Sequence, residues 1–180
     1  MQTKSITQAK VQETKSQTLI KCHLDHDIIA VGKHFPGQGS SQGDTHQDWV
    51  DVSDTWSDLE LRPYNKLIQA NNISAIMTSH LYNKHLDKKY PATLSKRLVT
   101  DLLRIKLKYD GLVVSDALVM NAISNKYSSG NAAVMAFDAG IDLIMMPKDI
   151  DEAIDSLTDA FYSEKFSLER LYVSRDRRKK

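Results

Sequence analysis

The sequence holds a single cysteine, Cys22, among 180 residues. An intrachain disulfide is therefore excluded, and cysteine usage says nothing about the redox compartment. Long apolar runs are missing too. No stretch approaches the ~20 residues that a membrane helix needs, so no membrane span is expected. Residues 1–17 are polar and lack the apolar segment of a secretory leader, which makes a cytoplasmic location the expectation. Charge of either sign is scarcely in excess: 24 Lys and Arg stand against 23 Asp and Glu, a net +1. These totals point neither to nucleic acid nor to an acidic substrate.

What is present is an ordinary globular composition, 41% hydrophobic and 26% charged, enough for one domain with a sizeable core. Apolar runs near residues 28–34, 74–79, 112–115 and 142–146 alternate with helical patterns. The first is continuous rather than alternating, as in a parallel strand buried on both faces. Pro63 suits the first turn of a helix over 62–70, Ser95 suits the cap of the next, and Gly140 suits the end of a helix over 131–138. Further helices are expected over 118–124, 150–162 and 167–174. This order argues for an α/β fold whose parallel strands are joined by right-handed crossovers.

Three of the four strands end at His34, His80 or Asp116, so one rim would carry all three. After the first strand comes a Gly-rich loop that closes on Asp44-Thr45-His46. An Asp two residues from a His can orient the imidazole for proton transfer. Asp116 reads equally well as a nucleophile or as a helix cap. Lys33, a charge at the end of an apolar strand, leans towards function. His80 either lines a pocket or fills the rim. Trp49 and Trp56 could stack on a sugar, although packing is the more common use. His23 and His26, with Asp25 and Asp27, admit a metal reading, but a polar helix-to-strand turn explains them as well. The basic residues 175–180 lack interleaved aromatics and read as a solvated tail.

Lys33-His34-Phe35-Pro36-Gly37-Gln38-Gly39, followed by Asp44-Thr45-His46, resembles the family 3 glycoside hydrolases in their β-N-acetylglucosaminidase (β-N-acetylhexosaminidase) branch. Gln38 stands where that motif usually has His. Gly111-Leu112-Val113-Val114-Ser115-Asp116 is similar to the family's nucleophile strand, and the stretch from Met77 to Ser95 also looks like the family. The resemblance runs from about residue 28 to about residue 157. It implies the second half of a (β/α)8 TIM-type barrel. Such a barrel needs about 250 residues, seldom as few as 200.

It further implies Asp116 as nucleophile, His46 with Asp44 as acid/base, and Lys33, His34 and His80 as sugar-binding residues. A neighbouring carboxylate favours the charged form of a His that must donate a proton. No metal or organic cofactor is implied. The expected partner is a saccharide containing N-acetylglucosamine. The division expected is a polar lead-in and helix end over 1–26, a partial catalytic domain over 27–174 and a basic tail over 175–180. Half a barrel leaves two open strand edges. The alternatives are therefore an inactive remnant, or a module that assembles with a missing first half or with a second copy.

Overall fold

The structure, a computed structural model, describes residues 15–179; expectations for the first fourteen residues lie outside it. Helix α1 covers residues 15–24. Strand β1 (Val31–Phe35) is followed by helix α2 (Arg62–Gln69), strand β2 (Ala75–Thr78) and a π-type helix over Arg97–Lys106. Strand β3 (Leu112–Val114) then leads to α3 (Asn121–Ser124), α4 (Ser129–Ala139), α5 (Ile150–Tyr162) and α6 (Leu168–Arg177).

The sheet has the order β1-β2-β3, all parallel. Val31 pairs with Ala75, and Ala75 pairs with Leu112. Phe35, Ile76 and Val113 are wholly buried, because the helices cover the sheet against Val99, Leu103, Ile123 and Ile141. That two-sided cover is why these strands read as unbroken apolar runs. A second cluster joins Phe137, Phe161 and Phe166, their rings 4.9–5.6 Å apart at steep angles.

Helix ends follow the sequence signals. Ser95 Oγ accepts from the Leu98 N–H at 3.2 Å, and Ser128 Oγ from the Asn131 N–H at 3.3 Å. The second bond starts α4 at Ser129, two residues earlier than expected. Gly140 closes α4 with φ +114°, a backbone that L side chains resist. Gly130 lets α4 approach α5: a Cβ there would fall 2.0 Å from Ser156 Oγ.

Two strand expectations need correction. The first strand begins at Val31, not 28, since the Ile28 N–H turns back to the His23 carbonyl at 2.9 Å and serves the end of α1. The fourth strand contracts to one parallel bridge between Val114 and Leu143. Beyond it, Ser115 Oγ takes the Met145 N–H, and the N–H groups of Leu118 and Val119 take the Met145 and Met146 carbonyls. Side-chain and turn bonds replace the ladder there, and Met146 has φ +44°.

The basic tail is also corrected. Residues 175–177 belong to α6, and Arg177 bonds Asp110 at 2.9 Å and Asp142 at 3.3 Å. The Asp142 side chain has no solvent exposure. It also pairs with Arg104 and with Arg170, and it accepts from Ser174 Oγ at 2.7 Å and the Val113 N–H at 3.0 Å. A carboxylate so enclosed survives only because its partners surround it. Asp142→Asn should destabilise the chain by about 3–5 kcal/mol, read as a lower urea midpoint; a loss below about 1 kcal/mol would show that the cluster matters little.

Candidate active site

The C-terminal ends of the three strands form one rim. On it His34 Nε2 lies 3.9 Å from Asp116 Oδ2, with the two side chains 26% and 19% exposed. Burial pulls the His34 pKa below its ordinary value; the Asp116 carboxylate opposes that pull, and Lys33 reinforces it. Lys33 is exposed. With His34, Gln38 and Ser40 it borders a cavity of about 640 Å³ on the free side of β1. Asp116 and His46 do not line this cavity, so the chemistry is read from the rim. Gln38 Oε1 and Ser40 Oγ are buried there without a hydrogen-bond partner. The Gln38 side chain also lies close enough to His34 to raise its pKa slightly against the pull of burial.

His80 is wholly buried. Its Nε2 donates to the Ala117 carbonyl at 2.9 Å, and Nδ1 lies 3.0 Å from Thr93 Oγ1. Burial lowers the His80 pKa, which favours the neutral ring; Nδ1 rests against Thr93 Oγ1, whose own proton goes to the Ser79 carbonyl at 2.8 Å. Both nitrogens are then occupied, and no polar atom of the ring is left for a sugar. Of the two uses considered for His80, the rim-filling one fits this placement. It holds the carbonyl of the residue next to Asp116.

The Asp44–His46 pair forms as its spacing suggests. Asp44 Oδ1 accepts from the His46 backbone N–H at 2.9 Å and lies 2.8 Å from Nδ1. These two bonds, the backbone one first, hold the Asp44 carboxyl below its ordinary value. It stays ionised, keeps the proton on Nδ1 and leaves Nε2 open. Both side chains face solvent, at 54% and 76% exposure. His46 is close enough for His34 and His80 to feel its charge.

The loop is pinned along its length. The Gly39 N–H donates to Glu60 Oε2 at 2.8 Å. Thr45 is buried, and its carbonyl accepts from the Ala122 N–H of α3 at 3.4 Å. Lys126 Nζ sits 3.4 Å from the centre of the Trp49 ring, which packs on Tyr82 at 5.1 Å. Trp56 Nε1 donates to the Pro36 carbonyl, so it packs under the Pro-Gly turn. The Lys126–Trp49 clasp was missed from sequence, since nothing local links positions so far apart. His23 and His26 spend their Nδ1 atoms on the carbonyls of Leu19 and Cys22, and no group suited to a metal occurs among the described residues.

Comparison with known proteins shows the family. Residues 5–177 match the glycosyl hydrolase family 3 N-terminal domain. The chain belongs to that family. It is 36% identical to a β-hexosaminidase of Nitrosomonas eutropha, over 73% of this chain and 38% of the relative. It is 31% identical to β-hexosaminidase A of Pseudoalteromonas piscicida, over 82% of this chain and 28% of the relative. Among solved structures, a family 3 β-N-acetylglucosaminidase from Paenibacillus superposes with TM-score 0.84 at 38% identity, covering 89% of this chain and 32% of that one. The β-N-acetylglucosaminidase of Thermotoga maritima superposes with TM-score 0.73 at 29% identity, covering 84% and 34%. The chain thus spans about a third of the length of these relatives. The parallel α/β fold matches part of their catalytic barrel.

Two measurements test the site. Unfolded His takes up a proton near pH ~6.5, whereas folded His80 resists it. Stability from His80 is therefore complete above that pH and is lost as pH falls below it. His34 acts in the same direction, less strongly because it is partly exposed. Urea midpoints between about pH 7 and 5 should fall more steeply in the parent than in His80→Gln, by up to about 1.4 kcal/mol per pH unit; parallel slopes would refute this. Separately, Lys126→Met should speed hydrogen exchange over residues 43–48 roughly three- to thirtyfold, the range of a cation–π contact, while the strands stay unchanged.

Proposed function

We propose that this chain carries the reacting groups of a retaining β-N-acetylglucosaminidase. The observation that carries the reading is the rim geometry: Asp116 sits 3.9 Å from His34, with an oriented Asp44–His46 pair on the loop beside them. The sugar specificity comes from the relatives, which are β-hexosaminidases and β-N-acetylglucosaminidases.

In this reading Asp116 attacks the anomeric carbon while the glycosidic C–O bond breaks. His46 Nε2 gives its proton to the departing oxygen, and Asp44 stabilises the imidazolium until then. His46 next removes a proton from water, which attacks the same carbon and frees Asp116, so configuration is retained. Lys33 and His34 hydrogen-bond sugar hydroxyls. Gln38 and Ser40, with their unpartnered oxygens, receive polar groups beside them. His80 keeps the Ala117 carbonyl, and with it Asp116, in place. No metal or organic cofactor enters these steps.

The open edges support a second element of the reading: the site is completed by further barrel strands. Val31 on β1 and Leu143 at the other margin are 43% and 37% exposed, apolar residues that a closed barrel would cover. Substrate must be held firmly for attack, and a displacement of about 1 Å costs on the order of a hundredfold in rate. The 180-residue chain alone should therefore release only traces of nitrophenol from 4-nitrophenyl N-acetyl-β-glucosaminide. Adding the first half-barrel of a β-hexosaminidase relative should raise turnover by a hundredfold or more, and Asp116→Asn should abolish the gain. Ordinary enzyme rates from the chain alone would refute the need for completion. Full activity in Asp116→Asn would refute the nucleophile, and no activity in any mixture would leave the remnant reading.

A further inference from the structure

Two recesses beyond the Asp44–His46 loop share a wall. One, of about 430 Å³, is lined by Trp49, Asp51, Tyr82, Lys88 and Lys89. The other, of about 570 Å³, starts at the same Lys88 and Lys89 and continues past Tyr90, Lys96 and Arg97 to Lys165. Together they make one track bordered by five cations. None of the five forms an ion pair among the described residues.

The carboxylates on the track offset this charge only in part. Asp87 is buried; one oxygen accepts from Ser95 Oγ at 2.6 Å, the other from the Lys89 and Tyr90 N–H groups. Asp51 accepts from the Ser53 N–H and hydroxyl. Asp138 is exposed, so three carboxylates stand against five cations, an excess of two positive charges. A recess with an excess of positive charge draws in counter-charges. The chain's total of +1 hides this local excess.

The place where the track starts gives it a direction. Trp49 is three residues beyond His46, and at no more than ~3.6 Å per residue their backbones lie within about 11 Å. The segment then pairs with Tyr82, whose N–H donates to Val50 and whose carbonyl accepts from Val52, both at 2.9 Å. The track therefore begins within about 11 Å of the residue read as general acid, on whose side the departing part of a glycoside must lie, although neither His46 nor Asp116 lines it. Along it, Tyr82 and Tyr90 alternate with lysines, and Leu94 and Met135 add apolar lining. Sugar rings lay their C–H faces on such aromatic rings, and ammonium groups bind anionic substituents through charge-assisted hydrogen bonds.

We propose that this track binds the leaving-group side of an extended saccharide polymer carrying repeated anionic groups. The proposal rests on the glycosidase reading for its direction. Its test uses binding, not turnover. Amide shifts of the 180-residue chain are followed against a hyaluronan hexasaccharide, which alternates N-acetylglucosamine with glucuronate, and against neutral chitohexaose.

The expected result is that hyaluronan shifts residues 49, 82 and 88–97 with a Kd about tenfold lower than chitohexaose. That advantage should shrink as salt rises from about 0.02 to 0.3 M, and should vanish in Lys88→Glu/Lys89→Glu while the strand resonances stay in place. Equal affinity for the two saccharides overturns the role of charge. Polyglutamate binding as tightly as hyaluronan overturns the saccharide. Shifts at His34 and Gln38 without shifts along the track overturn the track and leave the glycosidase reading intact. Binding along the track, with no hydrolysis by any completed barrel, overturns the glycosidase reading and leaves an anionic-saccharide site.

Discussion

One buried carboxylate fixes the frame on which the site stands. Asp142 has no solvent exposure, and its charge is answered by Arg104 from the π-type helix and by Arg170 and Arg177 from α6. It also takes the Val113 N–H, so one side chain ties β3 to the helix before it and to the last helix of the chain. Arg104 further bonds the carbonyls of Tyr109 and Gly111 just before β3. This is the N-terminal side of the strand. At the other end, two residues past it, stands Asp116. The two ends divide the work as in other parallel barrels: charge pairing stabilises one face, and the opposite face presents reactive groups.

That division explains what the sequence disclosed. β2 and β3 were legible because burial on both faces demands an apolar run and a rim demands polar ends, whereas the apolar run into β1 stays largely exposed, with Ile28, Ile29 and Val31 at 52%, 60% and 43%. The Asp44–His46 pair was legible because its geometry is local: two residues apart, one carboxylate oxygen reaches both the backbone N–H and the ring. What stayed hidden was set by partners far along the chain. Arg175–Arg177 looked like a solvated tail because Asp110 and Asp142 lie 67 and 35 residues from Arg177. Nothing local distinguishes a fourth strand from a run held by the Ser115 hydroxyl and the 117–119 turn. His80 looked like a ligand-binding residue because a strand-end His is ambiguous until Thr93 and Ala117 are seen to occupy both nitrogens.

The family adds a constraint that local packing cannot. This chain corresponds to about a third of its relatives. Its sheet also has apolar margins. Ile28, Ile29 and Val31 on one side, and Leu143 and Met146 on the other, expose apolar side chains next to strand backbone. Such margins favour pairing with further strands, because closure covers apolar surface and satisfies the edge together. The cavity along β1, where Gln38 and Ser40 keep unpartnered oxygens, lies on one of these margins.

Closure would also change the electrostatics of the Asp44–His46 pair. Asp44 and His46 now stand largely in solvent, where water weakens the attraction between a carboxylate and an imidazolium. The loop is already fastened on the α3 side, through Thr45 and the Lys126–Trp49 contact. The clasp keeps the pair near Asp116 without shielding it, so positioning and water exclusion belong to different parts of the barrel. Positioning is built into this chain, whereas exclusion depends on whatever lies against β1.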